Sequence, residues 1–215
     1  MDEKKQHLQN LSEIRSLMER SSSFLSLSGL SGIFAGIFAI FGAAFAYWYI
    51  YVYYASNNIP LFLKGSDIEK EIVLILISDA LTVLILALIF GLFFTYRNTK
   101  KKGLKIWNKT SRKLLFNLLL PLLAGGIFTF ILIYHGIIIL VASSTLIFYG
   151  LSLLNASKYT LRDIQYLGIS EIILGLLSGI FVGYGLYFWV LGFGILHIVY
   201  GTAMYLKYEK TKRSK

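Results

Sequence analysis

The stretch IVLILISDALTVLILALIFGLFFTY, Ile72 to Tyr96, carries one ionisable side chain, Asp79, in a run of aliphatic and aromatic residues. About 20 such residues in helical form cross the roughly 30 Å apolar core of a bilayer. Five more stretches of the same kind flank it: Phe24–Tyr54, Leu114–Ile133, Ile137–Leu154, Ile164–Val182 and Leu186–Leu206. The composition agrees, at 56% hydrophobic and 15% charged residues, against about 25% charged in soluble domains. The chain is therefore predicted to be all-α, a polytopic membrane helical bundle of six transmembrane helices. It has no cysteine, which excludes disulfides, thiolate zinc sites, iron–sulfur clusters and cysteine nucleophiles. No cofactor or metal is expected.

The formal net charge of +10 is explained by where the cations fall. Lys and Arg number four before span one, eight between Arg97 and Lys113, two at Lys158 and Arg162, and five from Lys207 onward. Those nineteen share one face of a six-span chain, and only Lys64 and Lys70 lie on the other. The positive-inside bias then predicts cytoplasmic N- and C-termini in a bacterial inner membrane. Nucleic acid is not needed as a partner. No cleavable signal peptide is expected, because the mixed-charge start is followed by an apolar run too long for one. The aromatics of YWYIYVYY, Tyr47–Tyr54, suit the outer lipid–water boundary.

Three regions follow: a cytoplasmic segment 1–23, a transmembrane domain 24–206 and a basic tail 207–215. Leu8, Leu11, Ile14, Leu17 and Met18 recur at helical spacing among charges, which predicts a short N-terminal amphipathic helix on the inner leaflet or against a cytosolic protein partner. The loop RNTKKKGLKIWNKTSRK, with Lys100, Lys101, Lys102, Lys105, Trp107 and Lys109, is expected to meet anionic lipid head groups or an acidic partner, at about 1 kcal/mol per cation. LSGIF at Leu30–Phe34, LAGGIF at Leu123–Phe128 and LSGIF at Leu177–Phe181 suggest a repeated helical hairpin.

Three ionisable residues are expected deep in the spans: Asp79, Glu171 and His197. Asp79 lies eight residues from Glu71 at one end of span two, and Glu171 eight from Asp163 at the opposite end of span five. Each is thus about 12 Å deep at 1.5 Å per residue. His197 falls between them on span six, so the three share one level. Insertion of each unpaired charge costs about 2.5–3.5 kcal/mol, so each needs an interior partner. The two readings are a structural polar cluster joining helices and a site for a proton, a cation or a small solute.

Ser78 and Thr82 make a polar patch around Asp79. Ser28, Gly32 and Gly36 on span one and Gly175, Gly179 and Gly183 on span five form small-residue rows; these predict a direct contact between spans one and five. Pro121 removes the helical donor to the carbonyl of Asn117, which predicts a kink there or a freed carbonyl for a cation or solute.

Six spans with Ser143 and Ser144 in span four and His197 in span six resemble the layout of rhomboid intramembrane proteases, but ASST lacks that family's glycine-flanked serine and HIVYG spaces histidine and glycine differently. LSEIRSLMERSS, LSGLSGIFAG, LIFYGLSLLNASKYTLRDIQYLGISEIILG and GFGILHIVYG together resemble a family of uncharacterised six-span bacterial integral membrane proteins. That resemblance covers nearly the whole chain. It implies a sensory role beside a winged-helix transcription regulator and supplies no catalytic residues. The expected function is proton- or cation-linked small-solute transport or binding at Asp79, Glu171 and His197. The alternative is a membrane sensor or scaffold engaging a cytosolic partner, with serine proteolysis remote.

Overall fold

The structure, a computed structural model, describes residues 7, 14, 28–54, 67–101, 103 and 106–210. The N-terminal amphipathic segment, apart from its helical positions His7 and Ile14, lies outside the described residues, as do Lys102, Lys105 and 211–215. The described residues are helical without strands, and six helices are long and apolar enough to cross a membrane: Gly29–Val52, Lys70–Lys101, Lys109–Tyr134, Ile138–Tyr159, Arg162–Ile180 and Gly185–Lys210. The all-α six-span expectation holds.

In space the spans follow the order two, one, six, five, four, three, with span six also touching span four. Apolar side chains on the outside, such as Leu92 at 70% and Ile180 at 71% exposure, suit lipid. Between helices the lipid tails compete equally well for apolar surface, so close packing and hydrogen bonds decide who meets whom.

Span one is held on two sides. Phe34 and Phe38 meet Phe90 and Phe94 of span two, with ring centroids 5.0–5.4 Å apart. The opposite side presents Gly29, Gly32 and Gly36, and here span one meets span six, not span five. A Cβ on Gly32 would lie 3.2 Å from the Gly201 Cα, and one on Gly36 2.5 Å from the Gly194 carbonyl oxygen. The small-residue row on span one thus meets a matching row, Gly194 and Gly201, on span six. Span five uses its own glycines against span four: a Cβ on Gly175 would lie 2.7 Å from Ile147, and one on Gly179 3.0 Å from the Ser143 hydroxyl. Gly183 belongs to neither row, because the helix ends at Ile180 and Gly183 turns the chain with φ of 95°. The three echoed glycines also have unlike surroundings: Gly32 faces Gly201, Gly179 faces Ser143, and Gly126 has no atom within 4 Å of an added Cβ.

Where span one begins and span six ends, Glu209 accepts a hydrogen bond from the Gly29 amide at 2.6 Å. A carboxylate there satisfies an orphan donor and complements the positive end of the span-one dipole. Asp163, in the first turn of span five, is held by the Tyr208 hydroxyl at 2.7 Å and by Lys207 at 3.3 Å.

The helix of span three runs on through Pro121 from Lys109 to Tyr134. The carbonyl that Pro121 leaves free, on Asn117, accepts a hydrogen bond from Asn155 Nδ2 of span four at 3.0 Å. It is therefore a helix-joining contact, and the Asn117 side chain itself donates to the Lys113 carbonyl at 2.8 Å.

Two stability measurements in detergent follow. Gly36→Leu should destabilise the fold by about 1–3 kcal/mol through overpacking, whereas Gly126→Leu should stay within about 0.5 kcal/mol of the wild type; equal losses would remove the packing argument. Asn155→Leu should cost about 1–3 kcal/mol by leaving the Asn117 carbonyl unpaired. In a Pro121→Ala background, where residue 121 regains its amide donor, the same change should cost clearly less, and an undiminished cost would show that the carbonyl is not what Asn155 serves.

Candidate functional site

Glu171 occupies the middle of the helix Arg162–Ile180 and is fully buried. Its carboxyl group lies against Gly192 of span six and Leu146 of span four; a Cβ on Gly192 would overlap both. Glycine at 192 is what admits the carboxyl between the helices. Neither carboxylate oxygen has a hydrogen-bond donor among the described residues. The ionisable base beside it is His197, whose Nδ1 is 3.4 Å from Oε1.

His197 reaches this position through an unusual piece of helix. Span six begins as α-helix at Gly185–Trp189, widens to a π-helix at Val190–Leu196 and narrows again at His197–Tyr205. π turns inside α-helices recur at functional sites. Here the widened turn lets the imidazole lie beside the Gly192 carbonyl, with Nδ1 3.0 Å from the oxygen. A carbonyl only accepts, so Nδ1 carries the proton. In the neutral ring Nε2 is then an acceptor, and the Tyr149 hydroxyl of span four, 2.8 Å away, donates to it. Nδ1–H points at Gly192 and has Glu171 only as its second neighbour, so the carboxylate 3.4 Å away gains no hydrogen bond from it.

The surroundings are apolar and aromatic. Phe193 stacks on the imidazole with ring centroids 5.9 Å apart, Tyr149 lies 5.0 Å from Phe193, and Trp189 continues the row at 4.9 Å. In such a low-dielectric setting an unpaired buried polar group is costly and a paired one is strong.

The structure thus brings together Glu171 and His197 and leaves Asp79 apart. Asp79 faces Gly42 of span one, where an added Cβ would lie 3.3 Å from its carboxylate, while Ile40 of span one meets Gly194. Positions 40 and 42 are about 200° apart around a helix, so the body of span one stands between Asp79 and the Glu171–His197 pair. Depth along the membrane gave a common level, but it carries no information about which side of a neighbouring helix a residue faces. The patch around Asp79 is also self-satisfied: Ser78 donates to the Leu74 carbonyl and Thr82 to the Ser78 carbonyl, both at 2.8 Å and both on an exposed face. Ser28 is buried at the start of span one, where its carbonyl accepts from Ser31.

A Ser–His pair is not formed. Ser143 donates to the Gly175 carbonyl at 2.6 Å, Ser144 bonds the Thr129 hydroxyl at 2.8 Å, and both imidazole nitrogens are engaged elsewhere. Of the basic loop, Lys100 and Lys101 end span two, Lys109 starts span three and Trp107 is 65% exposed between them.

Tyr149 and Gly192 are the residues sequence reasoning missed. Tyr149 carried a signal: tyrosines favour the membrane interfaces, yet this one sits midway along the helix Val141–Ala156. Gly192 carried none, since a glycine that admits a carboxylate looks like any other in a span rich in glycine.

No family model, curated protein or solved structure matches the chain.

Tyr149→Phe removes the donor to Nε2 and should cost about 1–3 kcal/mol of stability. In protein labelled with ¹⁵N-histidine it should shift the Nε2 resonance of His197 while Nδ1 stays protonated. An unchanged Nε2 signal would dismiss the tyrosine as partner.

Proposed function

We propose that the protein links a proton, or a small cation in its place, to the binding or transport of a small solute, and that Glu171 and His197 hold that charge. The observation that carries this reading is the Glu171 carboxyl group: at mid-span, fully buried, without a donor among the described residues and 3.4 Å from His197 Nδ1. An acid in that setting takes up a proton or draws in a donor from outside the chain. Ionisable side chains facing a bundle interior are the groups through which membrane proteins relay protons. Tyr149 fixes the imidazole from the far side, so the ring is positioned to exchange with Glu171 alone among the three acids and bases first considered.

The orientation belongs to the same proposal. The nineteen-to-two division of Lys and Arg supports termini in the cytoplasm of a bacterial inner membrane, with Lys100, Lys101, Trp107 and Lys109 against anionic head groups.

The test uses the full chain in liposomes, with an imposed pH gradient, a potassium-clamped potential and a trapped pH indicator. Glu171→Gln and His197→Ala should each slow protein-dependent proton movement by about a hundred-fold, the usual contribution of one positioned proton-transfer group. Asp79→Asn should leave it within a factor of about two, since residue 79 lies beyond span one. Full activity in Glu171→Gln would overturn the reading.

A further inference from the structure

We propose that the Nδ1 proton of His197 changes acceptor with the charge on Glu171: it lies on the Gly192 carbonyl while the acid is protonated and turns to the carboxylate when the acid ionises. The π turn that contains Gly192 thereby registers the protonation state of a residue on another helix. This rests on the proton reading above and adds to it how the held charge reaches the backbone of span six.

Two acceptors stand around one donor. Nδ1 is 3.0 Å from the Gly192 carbonyl oxygen and 3.4 Å from Glu171 Oε1. The neutral ring has no second N–H to offer, because Nε2 accepts from Tyr149. Between a carbonyl and an ionised carboxylate in reach of the same N–H, the carboxylate wins: a charge-assisted hydrogen bond is about twice as strong as a neutral one and closes to about 2.7–2.9 Å. The observed order is the reverse, carbonyl first and acid second, with no donor on either carboxyl oxygen among the described residues. That order belongs to a protonated Glu171.

The exchange is a small movement. Tyr149 holds Nε2 at 2.8 Å and serves as the pivot. Turning the ring about that nitrogen, to bring Nδ1 from 3.4 Å to a charge-assisted distance, takes about 0.6 Å, the size of the thermal displacement of a well-ordered atom. Nδ1 keeps its proton throughout; the proton that Glu171 gives up leaves from a carboxyl oxygen, and only the acceptor of the hydrogen bond changes. Gly192 is tied to both partners. Its missing side chain seats the carboxyl group, since an added Cβ would overlap Oε2, and its carbonyl holds the imidazole. It lies within the π turn Val190–Leu196, so ionisation of the acid takes the imidazole donor away from that turn. The titratable groups that face Glu171 are His197 from span six and Tyr149 from span four; span one, packed behind His197, presents Gly29, Gly32 and Gly36 there.

Gly192–Phe193 is the sole Gly–Phe pair in the chain, so ¹³C-carbonyl glycine combined with ¹⁵N-phenylalanine singles out that carbonyl. The His197 and Glu171 signals are assigned by their loss in His197→Ala and Glu171→Gln. In solid-state NMR of the full chain in liposomes, titrated with pH, the Gly192 carbonyl and His197 Nδ1 resonances should move with Glu171 Cδ at one midpoint. The distance from Nδ1 to Glu171 Cδ should shorten by about half an ångström as the acid ionises, with Nδ1 still protonated. In Glu171→Gln both resonances should keep their low-pH positions throughout. A Gly192 carbonyl that stays put while Glu171 titrates, one that still titrates in Glu171→Gln, or a Glu171 Cδ that keeps one charge state at every pH overturns the proposal; the wild-type titration decides where the variant does not fold. A stationary carbonyl with Glu171→Gln abolishing proton movement would leave the proton reading standing without the exchange. A carbonyl that follows Glu171, with Glu171→Gln fully active in proton movement, would keep the exchange and sink the proton reading.

Discussion

The contact on which the rest depends is the flush approach of span one to span six. Gly29, Gly32 and Gly36 meet Gly194, His197 and Gly201 at backbone distance, so His197 turns only its main chain toward span one and must send its ring the other way, between spans four and five. A side chain at Gly29, Gly36 or Gly201, where a Cβ would lie less than 3.0 Å from backbone of the facing helix, would lift span six away. The imidazole would then lose Tyr149 and Glu171 together. With no hydrophobic force to pull helices together inside lipid, such close approach supplies the dispersion and backbone complementarity that hold the centre of the series, and spans two and three attach at its ends.

The second constraint is that backbone polar groups cannot be left open in hydrocarbon. At three places where the helices break the usual pattern, a neighbour answers. Pro121 frees the Asn117 carbonyl and Asn155 takes it; span one begins with an orphan amide and Glu209 takes it; the π turn of span six offers the Gly192 carbonyl and His197 takes it. Against that consistency the buried side-chain atoms left unanswered among the described residues, Thr160 Oγ1, both Glu171 carboxylate oxygens and Ser178 Oγ, stand out as a separate class. Of the hydroxyls nearby, Ser143 is committed to the Gly175 carbonyl and Tyr149 to His197, so neither serves the acid.

How much of this was legible in the sequence depends on what each signal measures. Hydropathy fixes the six spans because crossing lipid is a condition on single segments. Depth along a helix is equally local, so Asp79, Glu171 and His197 could be assigned a common level. Which helices touch is a pairwise property, and small-residue rows are too alike to say which row meets which: Gly32 and Gly36 fitted Gly175 and Gly179 on paper as well as they fit Gly194 and Gly201 in the fold. The same ambiguity misplaced Asp79, which faces Gly42 around the far side of span one. Pro121 was the informative exception, because a missing amide names the carbonyl it orphans; only the partner, Asn155, had to come from the structure.

Asp79 and Glu171 also show why two acids of similar depth need not be equivalent. Asp79 is half-buried on a span that packs against one neighbour, beside hydroxyls that turn back on their own helix, and a short side chain there reaches the edge of the protein. Glu171 lies where three helices converge, with its carboxyl group in the space that Gly192 leaves and an imidazole whose other nitrogen is already fixed. The cost of a charge at the first position is set by the membrane, and at the second by the protein. Only the second can be altered by a movement of span six, whose π turn carries both Gly192, against which the acid rests, and the start of the helix that bears its partner. A change in the winding of that turn would therefore move the seat of the acid and the imidazole beside it in one step.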